Sequence, residues 1–301
     1  MQNGSPTETS SERKETGRSV RSVLEQIGDL LIETDTAGRI RYASAKWERN
    51  YGFKPEQLHQ VERLLHTDDR AAFSELLAHC MANKMTSKRE VRLCRADGER
   101  LWFELQVIPA AGSETEEIEA LYWVYRDTNA RHQHEERLIQ LAYHDPLTGL
   151  PNRRLFREHL NQALALSKRS GQLLGILYFD VNNFKRINDT MGHDTGDQFL
   201  QAFAVRVRST LREVDTFARI GGDEFAALLP NMMSAENMRT ITARIERSMS
   251  ALWHVAGHTF KATASIGTAV YPNDGTEASV LLKLADLKLY EEKHGREELS
   301  S

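Results

Sequence analysis

The residues best placed to do chemistry are carboxylates beside glycines. Ala218-Arg219-Ile220-Gly221-Gly222-Asp223-Glu224-Phe225 puts two glycines between short apolar stretches. Such a pattern predicts a tight hairpin whose backbone carries no side chain to keep a ligand away, with two carboxylates projecting from its rigid tip. A second constellation lies upstream, where the apolar run Ile176-Leu177-Tyr178-Phe179 ends in Asp180. A charge at the end of a buried strand is costly unless it is paired or metal-bound. The following Val181-Asn182-Asn183-Phe184-Lys185 turns into a helix, which leaves backbone N–H groups to hold phosphate oxygens. If the hairpin lies beside this strand, Asp180 converges with Asp223 or Glu224. Hard oxygen donors with open positions suit Mg²⁺, which keeps waters and bridges substrate phosphates. Taken alone, Gly-Gly-Asp reads first as a solvated hairpin tip with an acidic turn.

These groups need a scaffold, and 301 residues suffice for about two domains. With 39 Lys+Arg against 43 Asp+Glu the net charge is -4, which excludes a basic nucleic-acid binder as the default reading. Two cysteines, Cys80 and Cys94, are too few for a disulfide framework or a zinc site and point to a reducing, cytoplasmic compartment. The longest apolar run, Leu173 to Phe179, is far short of a membrane span, and the start of the chain has no signal-peptide core. Residues 1–19 have almost nothing to bury and read as a disordered lead-in. Beyond them, Leu30–Asp35 and Ile40–Ala43 predict a hairpin about Ala37-Gly38-Arg39. Glu90–Arg95 and Leu101–Val107 predict another about Asp97-Gly98, with helical material between, from Ala43 to Leu77, and a last strand at Ala120–Tyr125. Asn129–Tyr143 predicts a helix with a narrow stripe at Leu138, Leu141 and Ala142, suited to a dimer seam. From Asp145 onward the order is helix (154–169), buried strand (173–179), helix (196–212), two short strands about Gly221-Gly222, helix (235–252), strands near 260–270 and a closing helix (277–293). That order predicts an antiparallel or mixed sheet with helices packed on it.

Residues 141–296 resemble the GGDEF diguanylate cyclases. The likeness is carried by YHDPLTGLPNR (Tyr143–Arg153), FDVNNFKRINDTMGHDTGD (Phe179–Asp197), RIGGDEF (Arg219–Phe225), ASIGTAVYP (Ala264–Pro272) and ADLKLYEEK (Ala285–Lys293). It implies a nucleotidyl-cyclase or palm-like (ferredoxin-like) fold and the condensation of two GTP into cyclic di-GMP on a homodimer, with Mg²⁺ or Mn²⁺. Carried over, Asp180, the Val181 carbonyl, Asp223 and Glu224 are metal ligands, with Asp223 the base. Asn188 and Asp197 read guanine, and Phe184, Lys185, Gly221 and Gly222 line the substrate. Lys293 and Arg296 resemble the cations that hold the terminal phosphates, but stand one residue closer than the family's Lys-x-x-Gly-Arg, and Gly295 is a candidate helix stop. Asn182 stands where many members carry Asp. Arg212 and Asp215 match the RxxD product-inhibition site, Arg212 taking guanine O6 and N7 and Asp215 the opposite edge; apart from the motif they read as an i,i+3 ion pair. Asp145–Arg153 reads as structural turns. A catalytically inactive receptor for cyclic di-GMP, or a cyclase that also accepts ATP, would share most of these motifs.

Residues 20–128 resemble a PAS domain, through ETDTAGRIRYASAKWERNYGFKPEQL, LLHTDDR and the closing YRDTNARHQHEERL. The resemblance leaves the ligand open: haem, flavin, a small molecule or none. His66 reads as a turn residue and His79 as a remote candidate for an axial ligand; Trp47, Tyr51, Trp102 and Trp123 read as core. The expected chain is α+β: a lead-in (1–19), a PAS sensor with an antiparallel sheet (20–128), a signalling helix (129–144) and a GGDEF domain (145–301), with no nucleic-acid partner and no membrane span.

Overall fold

The computed structural model describes residues 29–52, 61–95, 97–111 and 117–298, so the lead-in expected at 1–19, the start of the PAS sensor and part of the helical stretch after Ala43 lie outside the described residues. The chain divides into two compact units between Glu136 and Arg137.

The first unit is a five-stranded antiparallel sheet. Its strands are β1 (Leu30–Thr34), β2 (Ile40–Ala43), β3 (Ser87–Cys94), β4 (Arg100–Ala111) and β5 (Ile118–Asp127), in the order β2-β1-β5-β4-β3. Both expected hairpins form, β1 with β2 and β3 with β4. Helices α1 (Lys46–Tyr51) and α2 (Arg70–Asn83) pack against the sheet. Trp47 and Trp123 are core, as their size and apolarity lead one to expect, and their indole N–H groups bond Leu31 O at 3.3 Å and Thr34 Oγ1 at 2.9 Å. Tyr51 packs at the edge of that core. Trp102 does not belong to it. It stacks on His132 at 4.3 Å and lies beneath the Arg92 guanidinium, on the side of the sheet that receives α3 (Asn129–Tyr143). His66 caps a short turn by accepting from the Asp68 N–H. His79 is exposed and bonded to Asn83, so its ring does not reach the core where a haem would sit.

The second unit holds α4 (Arg153–Ser170), β6 (Leu173–Val181), α5 (Phe184–Met191), α6 (His193–Arg208), β7 (Thr216–Gly221), β8 (Glu224–Met232), α7 (Glu236–Ser250), β9 (Trp253–Val255), β10 (His258–Phe260), β11 (Ala264–Tyr271) and α8 (Ala278–Glu298). Its sheet runs β11-β6-β8-β7, every neighbouring pair antiparallel, so β6 sits at the centre. Alternation along β6 explains the layers. Leu177, Phe179 and Val181 face a core with α6 and α7, while Leu174, Ile176 and Tyr178 face α4 and α8. Both faces are covered, which is why the strand reads as unbroken apolar residues.

Four expectations shift. The helix foreseen at 196–212 starts earlier and stops earlier, at His193–Arg208, and Gly192 (φ 89) separates it from α5, the helix foreseen after Val181–Lys185. The small β9–β10 hairpin was not foreseen. Gly295 does not stop the last helix, which continues to Glu298 without a left-handed residue. The stripe on α3 is also not buried within the chain: Leu138 and Leu141 are exposed and Ala142 half-buried.

Candidate active site

The ladder between β6 and β8 places Asp180 directly opposite Glu224, on the face that receives α4 and α8. Asp223 occupies the two-residue turn between β7 and β8. The first position of that turn is Gly222, whose φ of 53° favours glycine. The Val181 N–H donates to the Asp223 carbonyl at 3.3 Å, which stitches the turn to the end of β6. The two stretches singled out for their carboxylates therefore meet at one end of the sheet.

The hairpin is gripped from behind. Arg219 Nε donates to Gly222 O at 2.9 Å, and its Nη1 bonds both Asp145 oxygens at 3.0 and 3.1 Å. Asp145 also accepts from Thr148, and the Asn152 side chain caps α4. The Asp145–Arg153 stretch is the structural turn its Pro, Gly and Asn content suggested, and it carries the clamp on the β7–β8 turn.

Electrostatics mark the carboxylates as a set. Burial, reinforced by the negative charge of Asp180, holds the Asp223 carboxyl above the ordinary Asp range. Burial likewise raises Glu224, aided by Asp180, Asp223 and Asp286 and opposed by Arg153. A cation shared among them would relieve that repulsion. Among the described residues there is no tight group of three or more His, Cys, Asp or Glu side chains. Hard carboxylate oxygens of this kind suit an ion that completes its shell with waters and substrate phosphates. Lys293 Nζ donates to Asp180 Oδ1 at 2.7 Å, which brings the expected phosphate cation to the expected metal ligand. Arg296 lies in the last turn of α8 by its backbone, and its side chain is outside the described atoms.

The loop after β6 is partly as expected. The N–H groups of Val181 and Asn182 are taken by Asp223 O and Thr263 O, so they are not open to phosphate. Those of Asn183, Phe184 and Lys185, at the start of α5, find no acceptor among the described residues. Asn182 donates to Thr263 Oγ1 and accepts from Ser265 Oγ, so its amide ties β11 to the loop through one donor and one acceptor, which a carboxylate could not supply.

Asn188 stands on α5 with its Oδ1 buried and without a partner among the described residues. Across from it, a Cβ added to Gly196 would lie 1.8 Å from that oxygen and 3.3 Å from Phe184 Cζ. Asp197, next along α6, is exposed beside this slot. The bare Gly196 therefore lets an unpaired amide sit beside an accessible carboxylate, a donor–acceptor edge of the kind guanine presents to. Gly196 was missed in the sequence because a glycine inside a helix carries no polar group to attract notice.

Arg212 and Asp215 lie in the turn after α6. Asp215, with no side-chain exposure, takes Arg212 Nη2 at 2.8 Å and the Arg212 N–H at 2.8 Å. Its oxygens are committed to Arg212, so Asp215 orients the guanidinium and does not itself face a ligand edge. Arg212 shares a cleft of about 220 Å³ with Asn231, Asn237 and Arg244.

An antiparallel sheet of this order, covered by helices and carrying Asp180, Asp223 and Glu224 at one end, is the palm-like arrangement expected. The "Diguanylate cyclase, GGDEF domain" family model matches residues 142–298, more than half of the chain, and the chain belongs to that family. A PAS fold model matches residues 24–133. Diguanylate cyclase TpbB of Pseudomonas aeruginosa is 38% identical over 176 residues, 58% of this chain and 39% of TpbB. The solved structure of the TpbB GGDEF domain superposes with a TM-score of 0.50 at 40% identity, covering 51% of this chain and 90% of that one. Cyclic di-GMP phosphodiesterase NbdA of the same species is 40% identical over 156 residues, 52% of this chain and 20% of NbdA. The coiled coil and GGDEF domain of DgcB from Caulobacter crescentus, in complex with c-di-GMP, gives a TM-score of 0.50 at 29% identity, covering 55% of this chain and 88% of that one. The chain thus spans between a fifth and two fifths of these curated relatives. No described helix is long and apolar enough to cross a membrane.

Proposed function

We propose that this protein is a PAS-regulated diguanylate cyclase of the cytoplasm that joins two GTP into cyclic di-GMP and two pyrophosphates on a homodimer. The observation that carries the reading is the meeting of Asp180, Asp223 and Glu224 across β6, β8 and their hairpin.

Each GGDEF unit holds one GTP. Asn188 and Asp197 take the guanine edge, and the open N–H groups at the start of α5, with Lys293, take phosphate oxygens. Mg²⁺ or Mn²⁺, held by Asp180, the Val181 carbonyl, Asp223 and Glu224, would supply charge neutralisation and acidify the 3′-hydroxyl. The raised Asp223 carboxylate receives the 3′-hydroxyl proton. The 3′-oxygen forms a bond to the α-phosphorus of the facing GTP, the bond from that phosphorus to the β-phosphate oxygen breaks, and pyrophosphate leaves in line. A second such transfer closes the ring. Most of the work is positioning. Product docks on Arg212 and slows the enzyme. The exposed Leu138, Ile139 and Leu141 of α3 pair the two copies, so the PAS unit acts through this helix.

Chromatography after incubation with GTP and Mg²⁺ tests the reading. Cyclic di-GMP is expected; its absence would favour a receptor. ATP consumed as fast as GTP would overturn the guanine assignment.

A further inference from the structure

A cleft of about 610 Å³ opens at the outer edge of the catalytic sheet, between the first turns of α4 and strand β7. Four guanidiniums line it (Arg153, Arg154, Arg157 and Arg219) against two carboxylates, Asp145 and Glu158. The volume suits a small ligand, and the charge suits an anion. Three of the arginines have duties in the fold. Arg219 pairs with Asp145, Arg154 lies 3.5 Å from Glu158, and Arg153 Nε donates to Ile220 O. Arg157 is exposed and has no hydrogen-bond or ion-pair partner among the described residues. The planar fork of arginine matches phosphate oxygens two at a time.

The cleft is continuous with the catalytic hairpin. Gly221 forms part of its wall, and the free end of Arg153 lies 3.8 Å from Glu224. The chain's own triphosphate is provided for elsewhere, at Asp180, Lys293 and the start of α5. β7 stands two strand spacings from β6, about 10 Å. It is also the last strand of the sheet, its outer edge bonded through the Arg219 N–H to the Pro151 carbonyl, and Arg157 stands exposed at the cleft beside it.

We propose that Arg157, with Arg153, binds the phosphates of the GTP carried by the opposing copy, balancing the charge of the departing pyrophosphate. This rests on the cyclase reading and adds a residue that acts across the dimer. The test measures turnover of GTP with Mg²⁺ by the full chain, and calorimetric binding of 3′-deoxy-GTP, which cannot condense, at protein concentrations low enough to keep the chain monomeric. Arg157→Ala is expected to lower kcat at least tenfold while the 3′-deoxy-GTP Kd stays within twofold, and Arg157→Lys to recover part of the rate. A smaller loss in kcat, or a Kd that weakens in step with it, would overturn the proposal. An active wild type with an indifferent Arg157→Ala sinks this inference alone, whereas a wild type that makes no cyclic di-GMP sinks the cyclase reading with it.

Discussion

Lys293 Nζ rests 2.7 Å from Asp180 Oδ1, joining the final helix to the end of the central strand 113 positions earlier. An ammonium ion on a carboxylate that is to bind a divalent cation competes with that cation. Lys293→Met is therefore expected to lower the Mg²⁺ concentration needed for half-maximal GTP-dependent thermal stabilisation about tenfold, equivalent to about 1.4 kcal/mol. Turnover should fall in the same variant, because a phosphate cation is lost. An unchanged Mg²⁺ midpoint would show that the contact does not compete.

Gly196 is predicted to be indispensable for its lack of a side chain. The methyl group of Gly196→Ala would meet Asn188 Oδ1 at 1.8 Å and force the amide out of the base slot. The expected result is a KM for GTP raised about tenfold with a melting temperature close to wild type, as the displaced group is the tip of a side chain. Steady-state kinetics beside a melting curve checks this, and an unaltered KM would remove Asn188 from guanine recognition.

Arg212→Ala should leave the initial rate intact and abolish slowing by added cyclic di-GMP. Asp215→Asn should weaken the same inhibition several-fold, because a buried amide cannot accept both Arg212 donors as a carboxylate does. Progress curves with and without added product distinguish the variants. Inhibition of Arg212→Ala at the wild-type level would move the product site elsewhere.

Asp145 gives the clamp behind the hairpin a pH signature. Burial pushes its carboxyl up, but hydrogen bonds from Thr148 and Arg219 outweigh burial and hold it below the usual Asp range. A folded pKa below the unfolded one stabilises the protein fully above the unfolded value, about 3.9. That stability is lost as pH falls through the folded value. Asp145→Asn should cost about 2 kcal/mol at pH 7, and its deficit should shrink as the pH is taken below 4. Urea melts across that range check it; a deficit independent of pH would contradict the account.

The elements that carry the carboxylates were legible where a residue type is out of keeping with its neighbours. Asp180 ends an apolar strand and Gly221-Gly222 interrupts two others, so β6 and the β7–β8 hairpin could be located from composition, while their pairing entered only as a condition. The PAS-like hairpins were equally plain, because Gly38 follows a short apolar run and Gly98 follows an alternating one. What escaped depends on residues that meet only after folding. Arg153 reaches Glu224, Lys293 reaches Asp180, and Gly196 makes room for Asn188, each pair set by tertiary packing. Trp102 was misplaced because its bulk predicts burial, while its partner, His132, lies on a helix that crosses the outer side of the sheet.

The central claim is that carboxylates from β6 and the hairpin serve one cation beneath one triphosphate. The direct measurement is Mn²⁺-dependent binding of 3′-deoxy-GTP to the wild type, Asp180→Asn, Asp223→Asn and the double variant. Groups that share one ion are not additive. Each single substitution should therefore weaken binding at least tenfold, with the double variant little weaker than either. Binding indifferent to Mn²⁺, or losses that multiply in the double variant, would contradict the shared site.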